Sequence, residues 1–446
     1  CWDDTNTILT FKLRQNVTFT DGTAFNAESV KAILEFDSSN PNFSGIKGIH
    51  NIESVEIIDE HTVAIHYAAP CFSYINDFCF QNVAGMMSPK VFEAENFQTF
   101  NDVIGTGPYV RKEMISGDCT RFVRNENYWG NAPYYDEVVI KYIPESSSRL
   151  QALQTGEVDL IYGADLLSYD DYYQALSLEG IKGAINDGNT LTRNLVLNAS
   201  SVILNDIKVR QAIACAVNKE EITEGLTYGC ETPATTLFAP GAPYTDISYN
   251  SMWNYDLNKA NDLLDEAGWV LNDSTGIREK DGQKLSLNYT YWTDLSLARD
   301  IALVIKTQLA KVGIDVTTIG QDQMTWWTEG VAGNYDITTW NTEGSYTEPH
   351  KYLQESLGAD PHAISLQALE DFKSYSDAIN AFSTSGDPEV FQSAIVTALN
   401  VSNDNVIDLP ISYAKDLVVY NSSKIAGYTF SSVPQFFEVN NVQPAK

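Results

Sequence analysis

The chain has 446 residues, 43% hydrophobic and 20% charged, a composition that suits a globular protein with more than one core. Its 28 basic residues against 59 acidic ones leave a formal charge of −31. That balance argues against a nucleic-acid partner, because phosphate binding needs a basic face, and against anionic lipid for the same reason.

No run approaches about 18 consecutive apolar residues, so no membrane span is predicted. The first residues lack the basic flank and apolar stretch of a signal peptide, which predicts a mature or trimmed form. The six cysteines (Cys1, Cys71, Cys79, Cys119, Cys215, Cys230) include no CxxC pair, which argues against a zinc framework or a dense disulfide scaffold. Cys71, Cys79 and Cys215 are expected as buried thiols. Cys1 admits a lipoprotein reading, against which Trp2-Asp3-Asp4 runs almost directly into a strand.

In chain order, residues 6–14 alternate around Leu9, Phe11 and Leu13 as a half-buried strand. A turn at Asp21-Gly22 follows, then Asn26 caps a helix from Ala27 to Phe36. Two alternating runs in 53–67 flank a turn at Asp59-Glu60, which makes the opening segment a small α+β subdomain. Asn205–Tyr228 is predicted as one helix with Ile213, Ala216, Val217 and Ile222 inward. Asp256 caps a further helix that Gly268 ends in the left-handed region. A βαβ unit then runs from a strand over Leu285–Tyr291, through a helix capped by Asp294, past a stop at Gly313, to a strand over Ile314–Thr318. The fold class predicted is α/β with two lobes: lobe I over 1–195 including the subdomain, lobe II over 196–420, and a return to lobe I over 421–446. A hinge between lobes is a usual place for a small-molecule site.

Recognisable catalytic machinery is missing. There is no GxSxG, HExxH, P-loop or GxGxxG with its acidic partner, and no carboxylate pair implies shared acid–base work. The protein is therefore expected not to be an enzyme, with no catalytic residue. His50, His61 and His66 read as surface or strand residues. His350 and His362 are more informative: a polar run from Trp340 to His350, carrying the aromatics Trp340 and Tyr346, is followed twelve residues on by His362. Those rings can stack on a flat ligand, and His362, read as lying in a Pro-flanked turn off any helix, can offer an imidazole nitrogen to a borderline metal.

Six motifs stand in a fixed order along the chain: Gly105-Thr106-Gly107-Pro108-Tyr109, Asn125-Glu126-Asn127-Tyr128-Trp129-Gly130, Gly156-Glu157-Val158-Asp159-Leu160, Leu237-Phe238-Ala239-Pro240, Glu266-Ala267-Gly268-Trp269 and Asp408-Leu409-Pro410-Ile411-Ser412-Tyr413. As residues they are turns and aromatic plugs. The first reads as a tight turn whose glycines permit positive φ, the second as a plug at the base of lobe I, and the last as the lead into a buried strand.

Their order resembles the family 5 extracytoplasmic solute-binding proteins, receptors of peptide and nickel ABC importers, and the similarity runs from residue 7 to residue 444. Within that family the chain is most similar to nickel-binding receptors, on Val123–Gly130, Thr236–Pro240, Ile277–Gln283 and Leu409–Tyr413. The resemblance implies a type II two-lobe binding protein that takes a nickel chelate into the interlobe cleft and delivers it to permease subunits. The chelate is its transported ligand rather than a permanent cofactor. It implies an extracytoplasmic, monomeric receptor, with His362 completing the metal's coordination. Trp340 and Tyr346 would line the pocket, and Asn82 and Met86 would approach from lobe I. Asn42 and Asn82 stand where some nickel receptors carry a pair of arginines, so a carboxylate-rich chelator loses its clamp and nickel with histidine fits better. The resemblance also implies a few dozen residues ahead of residue 7 that this sequence does not include. The alternative is an oligopeptide or dipeptide receptor that holds peptide backbone by β-augmentation.

Overall fold

A computed structural model describes residues 2–4, 6–40, 47–70, 78, 85–91, 103–163, 165–342, 349–431 and 437–446. These form two compact units, Cys1–Ile143 with Asn380–Phe391, and Pro144–Ile379 with Gln392–Lys446.

In the first unit, strand Ile8–Lys12 pairs antiparallel with Thr62–Tyr67, which pairs in turn with Ile52–Asp59. Helix Ala27–Ser39 starts in a capping box, with Asn26 and Ser29 each accepting from the other's backbone N–H. Its Ala27, Val30, Ile33 and Leu34 are buried at helical spacing. Asp37 is buried on the same helix, and burial pushes its carboxyl up to about 7. A second antiparallel sheet joins Tyr109–Ile115, Cys119–Arg124 and Glu137–Lys141.

Neither Gly105 nor Gly107 is among the glycines with positive φ. Trp129 is 43% exposed rather than plugged into a core. Its ring carries the Arg14 guanidinium 4.4 Å from its centroid, and its indole N–H donates to the Thr106 carbonyl.

The second unit is built on a mixed six-stranded sheet. Its order is Thr232–Pro233, Asp408–Tyr413, Thr192–Leu197, Ile337–Asn341, Ser286–Trp292 and Asp315–Gln321. The expected βαβ unit is there: Ser286–Trp292 runs parallel to Asp315–Gln321, with helix Ala298–Ala310 between them. That helix buries Ile301, Ile305 and Leu309, and Gly313 ends the turn at φ +80°. A Cβ on Gly313 would come within 2.8 Å of Leu271, so both space and dihedral require glycine. Asp294 does not cap this helix. The N-cap is Leu297, with no side-chain cap bond.

Asp256 does cap helix Leu257–Glu266, accepting from the N–H groups of Asn258 and Lys259, and Gly268 follows at φ +84°. The single helix expected over Asn205–Tyr228 is two, Ile207–Ala216 and Lys219–Thr227, because Asn218 leaves the helical region and caps the second. Cys215 is buried as expected, while Cys71 and Cys79 lie outside the described residues.

A three-stranded sheet of Leu160–Tyr162, Leu417–Asn421 and Ile181–Ile185 joins the 160–185 segment to Leu417–Asn421 inside the second unit. No helix of the described residues is long and apolar enough to cross a membrane.

Candidate functional site

His362 lies in the second position of helix Pro361–Gln367. Asp360 is its N-cap, accepting from the Ala363 N–H, and Pro361 takes the first turn, where its missing N–H costs nothing. The Pro-flanked turn read from sequence is therefore a helix start. The polar stretch before it is also partly helical, over His350–Glu355.

The His362 ring is 2% exposed, with Nε2 2.9 Å from Asp408 Oδ2. Asp408 opens strand Asp408–Tyr413 and gathers four donors. Its Oδ1 accepts from Asn194 Nδ2 at 2.6 Å and Tyr352 OH at 2.7 Å; its Oδ2 accepts from Ser402 Oγ at 2.6 Å besides His362. Burial works to raise the Asp408 carboxyl, but the His362 charge and the hydrogen bonds outweigh it and hold it below the usual carboxylate range. For His362, burial works to lower the imidazole, and Asp408 outweighs it, so the ring sits above its ordinary value. An ionised carboxylate only accepts, so Nε2 carries a proton and Nδ1 is the lone pair a neutral ring has left.

Trp340 stands half-buried on strand Ile337–Asn341, separated from the Asp408 strand by Thr192–Leu197, and belongs to a larger aromatic group. Its ring centroid is 5.6 Å from Trp326 and 6.3 Å from Trp327, the latter pair stacked at 24°. Trp326 in turn stacks on Trp292 at 6.2 Å and 23°. Four of the chain's eight tryptophans thus form one wall. Trp326 is fixed by its indole N–H, which donates to Thr338 Oγ1 at 2.9 Å.

The wall and His362 are on adjacent elements. Helix Gln323–Val331, which carries Trp326 and Trp327, meets His362's helix where a Cβ on Gly330 would fall 2.6 Å from Pro361 Cγ. The Tyr335 hydroxyl donates to the Pro361 carbonyl from the same side.

The structure therefore brings His362, Trp340 and the unanticipated Trp292, Trp326, Trp327 and Asp408 into one unit. Met86 is half-buried in the first unit, and Tyr346, Asn82 and Asn42 lie outside the described residues. Among the described residues no group of three or more His, Cys, Asp or Glu could hold a metal. An all-protein metal cage is therefore absent there. The Trp326-Trp327 pair shortly before Trp340 was a readable sign of the wall. The Asp408 hub had no comparable sign.

The pattern of the bacterial extracellular solute-binding proteins, family 5 Middle, matches residues 2–362, and the chain belongs to that family. Its members bind a solute for import and do not transform it, so the class is a receptor, with the two-lobe α/β fold. Among individual proteins, the chain is similar to the nickel-binding periplasmic protein of Escherichia coli (strain K12). The two are 27% identical over 446 residues, 98% of this chain and 84% of that protein. It is also similar to the oligopeptide-binding protein OppA of Lactococcus lactis subsp. cremoris (strain SK11), at 28% over 362 residues, 78% of this chain and 55% of that protein. The crystal structure of NikA from Brucella suis in complex with Fe(III)-EDTA superposes with a TM-score of 0.90 at 26% identity, covering 100% of this chain and 90% of that one.

Proposed function

We propose that this protein captures a nickel complex carried by a small chelator, histidine fitting best, and hands it to ABC permease subunits as a monomer outside the cytoplasmic membrane. The observation that carries this reading is the pairing of His362 with Asp408. A metal-binding histidine commonly donates its second ring N–H to a carboxylate, which fixes the tautomer and orientation of the ring. Here that second bond is in place through Nε2, and Nδ1 is the atom left for the metal. Imidazole suits nickel, and one protein histidine is sufficient when a chelator supplies the other donors.

The Trp340 wall beside it suits the organic part of the complex. Tyr346, Asn82 and Met86 complete the proposed contact set. Similarity to the Escherichia coli nickel-binding protein, and to NikA holding a metal chelate, supports the same reading. Because the ring is buried, coordination requires the two short helices His350–Glu355 and Pro361–Gln367 to yield locally. The likeness to an oligopeptide-binding protein supports a second reading, a peptide receptor.

Native mass spectrometry separates the two. The protein is incubated with nickel, with nickel and excess L-histidine, and with a mixed tetrapeptide pool. A gain of nickel plus histidine in the wild type, lost in His362→Gln, is the expected result. Glutamine keeps an N–H for Asp408, so the variant tests the ligand role apart from the hub. Peptide adducts without metal dependence would replace the nickel reading with the peptide one.

A further inference from the structure

The tryptophan wall sits at a particular place in the sheet. Trp292 and Gln321 are paired across the parallel strands Ser286–Trp292 and Asp315–Gln321, and each is the last residue of its strand. Helix Gln323–Val331 begins immediately after Gln321, with Asp322 as its cap. The carboxyl ends of parallel strands are where α/β sheets commonly place ligands.

Two buried polar atoms at these paired strand ends have no hydrogen-bond partner, Trp292 Nε1 and Gln321 Oε1, and Ser296 Oγ on the turn after Trp292 is a third. Buried polar atoms are seldom left unpaired, and each exception calls for a reason. Here a donor and an acceptor are left open on the two strand ends that border a stack of indoles. Trp327 is 42% exposed and Met324 on the same helix 73%, so the wall is open to solvent at one end. Asp294 and Asp322 flank it in sequence, within a chain of formal charge −31. An indole face beside acids attracts a cationic or electron-poor ring.

We infer that Trp292, Trp326 and Trp327 extend Trp340 into a stacking subsite for a flat nitrogen heterocycle, the imidazole of a metal-bound histidine. The Trp292 indole N–H donates to the chelate's carboxylate oxygen, and Gln321 Oε1 accepts from its amine or ring N–H. This rests on the reading of the protein as a receptor for a nickel chelate and names the part of the chelator that is recognised. Nickel draws electron density from a bound imidazole, which sharpens its attraction to the indole face. Through Gly330 and Pro361 the platform's helix packs directly on the helix of His362. Metal and ring are then read from adjoining elements.

The test is isothermal titration of the full chain with two probes, nickel with L-histidine, and nickel with iminodiacetate, which offers carboxylates but no ring. The wild type is compared with Trp327→Ala, at a partly exposed position, and with the conservative Trp292→Phe, which removes only the N–H donor and one ring. Thermal melts confirm that both fold. The expected result is a loss of about ten-fold in nickel–histidine affinity for Trp327→Ala, with the iminodiacetate complex unchanged. Trp292→Phe is expected to weaken nickel–histidine by roughly three- to ten-fold through the lost hydrogen bond. Variants that bind nickel–histidine as the wild type does would overturn the subsite and leave the nickel reading intact. A wild type that binds neither nickel complex would overturn both, and that failure is already visible before any variant is made.

Discussion

The Asp408 hub and the tryptophan wall lie on one sheet, and their polar groups are treated in opposite ways. At the hub a buried carboxylate has both oxygens filled by four donors. At the wall an indole N–H and an amide oxygen are buried without a hydrogen-bond partner. Satisfied buried networks rigidify a structure, whereas unpaired buried groups are rare and call for a reason. The contrast sets a closed network around His362 against open polar groups beside the tryptophans.

The largest effect should come from emptying the hub. Asp408→Ala leaves His362, Tyr352, Asn194 and Ser402 facing a hole, and should cost about 3–5 kcal/mol in urea unfolding. A loss under about 1 kcal/mol would mean that the hub is not the rigid half of the comparison.

Next is the joint between the regions. Gly330→Ala drives a methyl into the Pro361 ring, and should cost about 1–3 kcal/mol while lowering affinity for nickel–histidine.

Asp37, in the other unit, shows a buried carboxylate whose charge is not offset. Its carboxyl is pushed up to about 7 by burial, from an unfolded value near 3.8. A carboxyl that holds its proton more tightly when folded costs stability as pH rises from the unfolded value through the folded one, and the cost is complete above about 7. Asp37→Asn should therefore be neutral below pH 4 and gain about 1–2 kcal/mol on the wild type by pH 8, measured as unfolding midpoints across that range.

The smallest effect belongs to the wall. Trp292→Phe removes an N–H that already lacks an acceptor, so it should cost less than about 1 kcal/mol despite the smaller ring.

Where the local chemistry decided, the sequence was legible. Asn26 and Asp256 cap the helices expected of them, and Gly268 and Gly313 stop theirs in the left-handed region. The misreadings were also local. Asn218 followed by Lys219-Glu220-Glu221 carries a cap signal that breaks the helix expected over 205–228, and Asp360-Pro361, an N-cap and first-turn proline, starts a helix in place of the expected turn. Family 5 membership was legible from six spaced motifs. The hub was not, because its donors come from Asn194, Tyr352, His362 and Ser402. Asn194 lies 214 residues from the carboxylate it serves, and no local pattern predicts such a meeting. The buried pose of His362 follows from that meeting and was hidden with it.

One consequence of the tryptophan stack is optical. Four indoles with centroids 5.6 to 6.3 Å apart are close enough for their electronic transitions to couple. The unlabelled protein should then show a split tryptophan band in far-ultraviolet circular dichroism, with a sign and size set by the tilt between the rings. A guest that slides against Trp327 or re-angles Trp340 would change that band directly. The receptor would report its own loading in the light it absorbs.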